Sequence, residues 1–139
     1  MQNHLRAVIV EDTVADIRTA SRVLNQAGIE SVLAFDNMPR AMMYLEDVVA
    51  GEQPCPDLIV LDLGLGADSG FEALRFRKSH GKLSACKVVV WTISGELREE
   101  ICTLLGASHV VAKEDGEAAL LRAITATAAP SAPAEASAD

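Results

Sequence analysis

The chain has 139 residues, half of them hydrophobic, which is enough for one domain with a substantial core and too few to predict two. Its 12 Lys and Arg residues against 20 Asp and Glu residues give a formal net charge of −8, which argues against nucleic acid and against an acidic membrane surface as partners. No apolar stretch approaches the roughly 20 residues that span a bilayer, and the N-terminus lacks a signal-peptide layout, so we expect a cytoplasmic protein.

Strand-like and helix-like patterns alternate five times along the chain. Short runs of buried apolar residues predict the strands, and apolar residues at helical spacing predict the helices, most of which end at a glycine. The predicted strands are residues 7–10, 31–35, 58–61, 87–91 and 108–112. The predicted helices lie around residues 17–27, 38–49, 70–81, 97–105 and 120–124.

This alternation predicts an α/β fold with a flavodoxin-like, doubly wound, five-stranded parallel sheet and helices on both faces. Right-handed crossovers that cover both faces favour the strand order 2-1-3-4-5. We expect one domain at residues 1–127 and a disordered Ala/Pro-rich tail at 128–139. Thr13 and Asp16 are interpreted as the cap of the first helix. The three cysteines are widely spaced without a CxxC motif, which is typical of reduced thiols.

Polar residues follow the predicted strands at the edge where ligands of open α/β sheets bind. Asp62 closes the wholly apolar third strand. The residues that follow the first, fourth and fifth strands are Glu11 with Asp12, Thr92 and Lys113. The strand order brings these ends together, so we expect one shallow pocket that contains three carboxylates, a hydroxyl and an ammonium.

The composition of this pocket indicates phosphoryl chemistry. Three neighbouring carboxylates repel one another unless a cation lies between them, and an open all-oxygen site suits Mg²⁺ or Mn²⁺. The ammonium of Lys113 and the hydroxyl of Thr92, with a divalent ion, can stabilise the charge on a transferring phosphoryl group. Asp62 is then the natural nucleophile, which would form an aspartyl phosphate.

Four segments in this order resemble the receiver domain of two-component response regulators, here of a stand-alone type. No single segment is specific, but the set at the expected strand ends is. The segments are Val8-Ile9-Val10-Glu11-Asp12, Asp62-Leu63-Gly64-Leu65-Gly66-Ala67-Asp68-Ser69-Gly70, Trp91-Thr92 and Ala112-Lys113.

The resemblance implies roles for the pocket residues. Asp62 would accept a phosphoryl group from a phosphohistidine. Asp12, Asp62 and the backbone carbonyl of Gly64 would bind Mg²⁺, and Glu11 would act mainly through metal-bound water.

The same resemblance implies how the signal passes on. Thr92 and Lys113 would bind the phosphoryl oxygens and report their presence. The partners would be a sensor histidine kinase or a histidine phosphotransfer protein and an unidentified downstream protein. Contacts would form on the face built from the fourth helix, fifth strand and fifth helix, where a homodimer could also form.

The chain departs from the usual receiver pattern in four places. Gly66 and Glu114 stand where prolines are usual, and Asp68 stands where an apolar residue is usual. Val110 stands where the family usually has a Tyr or Phe. That aromatic side chain usually turns inward when the threonine at the position of Thr92 moves. These departures put the output conformational change in question more than phosphorylation itself.

Other functions remain compatible with parts of the pattern. A degenerate receiver that binds a partner constitutively is the main alternative, favoured by Val110 and Glu114. A phosphatase of the haloacid dehalogenase type would need Asp-x-Asp after the first strand, where Glu11-Asp12-Thr13 stands. A flavin or nucleotide binder would need a phosphate-binding loop there, and two acids would repel phosphate.

Overall fold

The centre of the molecule is a sheet of five parallel strands. The structure, a computed structural model, describes residues 4–65 and 68–128. Numbered in chain order, the sheet strands are β1 (Arg6–Val10), β2 (Ser31–Phe35), β3 (Leu58–Leu61), β4 (Lys87–Thr92) and β5 (His109–Ala112). Their order is β2-β1-β3-β4-β5, and every pairing is parallel. The predicted fold class and strand order are confirmed.

Five helices connect and cover the strands. They are α1 (Val14–Gln26), α2 (Met38–Val49), α3 (Phe71–Ser79), α4 (Glu99–Leu104) and α5 (Glu117–Ala128). Side-chain caps fix where the first two helices begin. Thr13 accepts a hydrogen bond from the backbone N–H of Asp16, and Asn37 accepts one from that of Arg40. These bonds satisfy backbone donors that have no partner within the helix.

Each face of the sheet carries its own apolar core. Alternate side chains of a strand point to opposite faces, so Ile9 packs with α1 and α5 while Val8 packs with α2 and α3. All four residues of β3 are buried because the strand is central, whereas the edge strand β2 is half-exposed or exposed along its length. The central position of β3 therefore places Asp62, which follows it, in the middle of the carboxyl edge.

Helix ends differ from the sequence prediction by up to four residues, as at α5, and two local features differ as well. A short antiparallel hairpin pairs Gly64–Leu65 with Asp68–Ser69 just after β3. The helix expected at residues 97–105 is only Glu99–Leu104, and a 3₁₀ turn, Ser94–Glu96, precedes it. Leu97 and Arg98 between them have non-helical backbone angles, so the helical spacing of Leu97 does not mark a helical residue.

The C-terminal prediction is only partly covered by the described residues. Ala128, placed by the sequence at the start of the tail, is the last residue of α5. Residues 129–139 lie outside the described part, so disorder of the tail stays a prediction, as does the domain boundary. Within the described ranges, none of the helices combines the length and apolar character needed to cross a membrane.

Candidate functional site

The carboxyl ends of β1, β3, β4 and β5 meet at one edge of the sheet. The register pairs Val10 with Leu61 across β1 and β3, and Thr92 with Ala112 across β4 and β5. The backbone N–H of Asp62 donates to the carbonyl of Val10 at 3.0 Å, which extends the β1–β3 pairing to the start of the site. The residues that end these strands therefore lie side by side, as expected for a parallel sheet.

Asp62 is held by three donors although its residue is only 6% exposed. The hydroxyl of Thr92 donates to Asp62 Oδ1 at 2.7 Å, and the backbone N–H of Gly64 donates to the same oxygen at 3.2 Å. Lys113 Nζ lies 3.4 Å from Asp62 Oδ2. The two oxygens of Asp62 therefore have different partners, a hydroxyl and a backbone N–H at Oδ1 and an ammonium at Oδ2.

The backbone behind Asp62 is packed against the start of α3. A Cβ added at Gly70 would lie 2.3 Å from the carbonyl oxygen of Asp62 and 3.1 Å from the Cα of Leu63. The backbone N–H of Gly70 also donates to the carbonyl of Leu63 at 3.2 Å. This close approach of two backbones fixes the position of Asp62 and requires glycine at this point.

Lys113 connects the carboxylates of the site. Its Nζ lies 2.8 Å from Glu11 Oε2 and 2.7 Å from Asp16 Oδ2, in addition to its contact with Asp62. It also lies 5.0 Å from the ring centroid of Trp91, at cation–π distance. Burial lowers the pKa of Lys113, but the bonds and charges of the three carboxylates outweigh it, so the pKa is raised and the ammonium stays charged.

Glu11 is the most buried acid of the site, at 1% exposed. Burial raises the pKa of Glu11 to about 8, and the negative charge of Asp62 adds to this, while the bond from Lys113 opposes it. Glu11 Oε1 accepts a hydrogen bond from the backbone N–H of Asp12 at 3.2 Å. A buried carboxylate with a raised pKa beside another acid is typical of a site that accommodates a cation.

Three acids form a possible cation site. Glu11, Asp12 and Asp62 each offer a carboxylate oxygen, and these oxygens lie within 4.8 Å of one another. An all-oxygen donor set with one exposed member suits a hard divalent cation that keeps part of its water shell. The residues therefore fit Mg²⁺ or Mn²⁺. The predicted metal contact of the Gly64 carbonyl stays a prediction.

Glu114 joins the two loops at the rim of the pocket. Its carboxylate accepts hydrogen bonds from the backbone N–H of Ser94 at 2.9 and 3.2 Å and from the hydroxyl of Ser94 at 2.8 Å. These bonds lower the pKa of Glu114, which is fully exposed. The carboxylate of Glu114 therefore binds the loop after β5 to the loop after β4.

The structure brings the predicted site residues together and adds one that the sequence analysis missed. Glu11, Asp12, Asp62, Thr92 and Lys113 share one pocket, with Gly64 as a backbone donor to Asp62. The addition is Asp16, which was interpreted only as part of the helix cap. Asp16 lies in the first turn of α1, and no spacing in the sequence marks its contact with Lys113.

Solved structures with the same fold include several response regulators. The phosphorylated cyanobacterial phytochrome response regulator RcpA is 28% identical, with 89% of this chain and 91% of that chain covered and a TM-score of 0.72. The Mn²⁺-bound form of response regulator Rcp1 is 27% identical, with coverages of 87% and 90% and a TM-score of 0.68. A response regulator receiver domain from Rhodospirillum rubrum is 26% identical, with coverages of 88% and 89% and a TM-score of 0.69.

The comparison with protein families is decisive because it covers most of the chain. A search of curated proteins found no match. The model of the response regulator receiver domain, in contrast, matches residues 7–125, which include all of the sheet but its first residue and every residue of the site. The chain therefore belongs to the response regulator receiver domain family.

Proposed function

We propose that this receiver domain is a phosphoacceptor switch, phosphorylated on Asp62 by a histidine kinase or a histidine phosphotransfer protein. The observation that carries the proposal is the environment of Asp62. A hydroxyl donor contacts one of its carboxylate oxygens, an ammonium lies near the other, and a cluster of acids that fits a divalent cation includes Asp62 itself. These are the groups that phosphoryl transfer requires.

The chemistry follows from the two oxygens of Asp62. Oδ1 is held by Thr92 and Gly64, so Oδ2 is oriented to attack the phosphorus of a donor phosphohistidine. The new O–P bond forms as the P–N bond breaks, and the electron pair of that bond returns to the imidazole nitrogen. Lys113, 3.4 Å from Oδ2, is placed to contact a phosphoryl oxygen. The domain catalyses only its own phosphorylation and dephosphorylation.

Glu11, Asp12 and Asp62 are the residues that would hold Mg²⁺. Such an ion supplies positive charge that neutralises the carboxylates and the phosphoryl oxygens. The similar structures support this assignment, since one is a phosphorylated response regulator and another is a Mn²⁺-bound one. In the unphosphorylated protein, Lys113 offsets part of the negative charge of these acids.

The output of the switch is a protein contact. Ile93, Ile101 and Leu104 expose 50%, 45% and 70% of their surface on the loop after β4 and on α4, next to the pocket. An apolar surface beside the site supports docking of a partner on the face of α4, β5 and α5. The identity of the partner, a homodimer and the cytoplasmic location stay predictions.

The rival functions have less support. Membership of the receiver family argues against a haloacid dehalogenase-type phosphatase and against a flavin or nucleotide binder. The degenerate receiver finds no support in the site, because Thr92 and Lys113 both contact Asp62. Val110 is half-buried and packs with the core of α2 and α3, so its side chain does not disturb the pocket.

The test is covalent phosphorylation by a small donor. Incubation with acetyl phosphate and Mg²⁺ should add the mass of one phosphoryl group, detected by intact-mass spectrometry. Asp62→Asn should abolish the adduct. Asp57→Asn, which changes the same chemical group at the opposite end of β3, is the matched control and should keep it. An unmodified wild-type protein, or an adduct that survives Asp62→Asn, would refute the proposal.

A further inference from the structure

Asp16 makes a short contact with the site lysine from outside the acid cluster. Its Oδ2 lies 2.7 Å from Lys113 Nζ, closer than the carboxylate of Glu11 at 2.8 Å or of Asp62 at 3.4 Å. The Lys113 side chain is 14% exposed and that of Asp16 is 32% exposed. The pair is thus less exposed to solvent than an ordinary surface ion pair, which contributes little to stability.

The backbone of Asp16 is fixed by the start of α1. Thr13 caps this helix by accepting a hydrogen bond from the Asp16 N–H at 3.3 Å. A carboxylate in the first turn is also favoured by the positive end of the helix dipole. α1 packs against α5, which begins shortly after Lys113, so the helix and the turn that carries the lysine lie next to each other. Asp16 is therefore a fixed anchor for the ammonium.

The acids around Lys113 divide into two groups. Glu11 and Asp62 belong to the cluster that fits a divalent cation, together with Asp12. Asp16 stands apart from that cluster in the described part of the chain. A cation bound in the cluster would repel Lys113. It would also replace the lysine as the charged partner of Glu11 and Asp62. Asp16 is the carboxylate that continues to neutralise the lysine.

We infer that Asp16 is a positioning residue that acts through Lys113. Its carboxylate strengthens binding of the metal ion to the site and weakens binding of the phosphoryl group. This inference rests on the proposed function, in which Lys113 contacts a phosphoryl oxygen. The carboxylate of Asp16 favours the cation because it offsets the charge of the lysine. It opposes the phosphoryl group because it repels an anion and holds the ammonium that the anion would bind.

Opposite effects on the two ligands distinguish this role from a structural one. In Asp16→Asn, Mg²⁺ should bind about three- to fivefold more weakly, since Lys113 loses its compensating charge. At a saturating concentration of Mg²⁺, the phosphoryl analogue beryllofluoride should bind about two- to fivefold more tightly, since the ammonium is released. Both dissociation constants are measured by fluorescence of Trp91, the only tryptophan of the chain, whose ring lies beside Lys113.

Two further variants serve as controls. Asp16→Glu keeps the negative charge and should restore Mg²⁺ affinity to near the wild-type value. Asp47→Asn removes the same charge from α2, on the other face of the sheet, and should change neither dissociation constant. Thermal unfolding by circular dichroism establishes that each variant is folded at the temperature of the titrations.

The possible outcomes separate this inference from the proposed function. Weaker binding of both ligands to a folded Asp16→Asn protein would show a purely structural role, and no change in either would show an inconsequential surface pair; each overturns the inference. The Mg²⁺ titration needs no phosphorylation. A wild-type protein that forms no acyl phosphate would therefore refute the proposed function, while the metal result would still decide whether Asp16 acts on the site.

Discussion

At the scale of single residues, Gly70 determines how the backbone of Asp62 is held. Gly70, which directly precedes α3, approaches the Asp62 carbonyl so closely that a methyl group would lie 2.3 Å from its oxygen. The φ angle of Gly70 is −59°, which any residue can adopt, so space and not backbone conformation demands the glycine. A carboxylate that must meet a hydroxyl and an ammonium at fixed distances benefits from such a rigid base.

We predict that Gly70→Ala lowers the free energy of unfolding by about 1–3 kcal/mol, because backbone must move to admit the methyl group. The movement displaces Asp62, so the rate of phosphorylation by acetyl phosphate should fall as well. Urea denaturation and intact-mass time courses measure the two effects. Gly81→Ala is the control, since a Cβ there meets nothing within 4 Å. Equal stability of the two variants would contradict the prediction.

The strand ends made most of this site predictable from sequence. Parallel strands place their last residues at one edge, so the sequence alone groups Asp62, Thr92 and Lys113. The contact of Asp16 could not, because it depends on the direction in which the long Lys113 side chain extends. The need for Gly70 was equally hidden, since it arises from a distance between two backbone segments.

At the scale of elements, the bond between Glu114 and Ser94 links the loops after β4 and β5. Ser94 lies two residues beyond Thr92, and Glu114 directly follows Lys113, so the bond connects the neighbours of both phosphoryl-binding candidates. A movement of Thr92 toward a phosphoryl group would strain this link. The acid at the usual proline position therefore couples the two loops through hydrogen bonds.

We predict that this link is lost in acid. The pKa of Glu114 is lowered from its ordinary value of 4.5 by the bonds from Ser94. A lowered pKa means that the bonds contribute fully above that ordinary value and are lost as the pH falls through the lowered one. The amide signal of Ser94 in NMR spectra should accordingly titrate with a midpoint below pH 4.5. A midpoint at or above 4.5 would contradict the bond.

Substitution tests the same link at neutral pH. In Glu114→Ala, amide hydrogen exchange at Ser94 should become faster, because the N–H loses its acceptor. Glu100→Gln, which removes an exposed acid from α4, should leave that exchange rate unchanged.

Element boundaries were predictable where periodicity is strong. All five sheet strands and the caps of α1 followed from apolar runs and from the Thr13 hydroxyl. The hairpin of Gly64–Leu65 and Asp68–Ser69 could not be predicted, since two-residue strands carry no period. The start of α4 was misplaced because Leu97 keeps helical spacing while its backbone is non-helical, and Arg98, which directly precedes the helix, makes no side-chain capping bond.

At the scale of the whole molecule, the apolar core between the sheet and α2 and α3 contains a thiol that ionises at lower pH in the unfolded chain than in the folded protein. Cys86 lies just before β4 in the core of α2 and α3 and is 0% exposed. Burial raises the pKa of its thiol from 9.0 to about 12, the charge of Cys55 adds to the rise, and Arg77 opposes it. The folded protein therefore keeps this thiol neutral in alkali, whereas the unfolded chain ionises it.

We predict that Cys86 makes the protein sensitive to alkali. A pKa raised by folding contributes stability that is fully present below the unfolded value of 9.0 and falls as the pH rises toward 12. Between pH 8 and pH 10, ionisation of this thiol in the unfolded chain should lower the free energy of unfolding by about 1 kcal/mol. Cys86→Ala loses stability at both pH values through its cavity but should lack this additional loss. Urea denaturation at the two pH values measures it, with Val88→Ala as a cavity control in the same core. If Cys86→Ala and the wild type lost the same stability between the two pH values, the prediction would be wrong. The Cys86 thiol would then have the same pKa in the folded and the unfolded protein, and its ionisation would not favour unfolding.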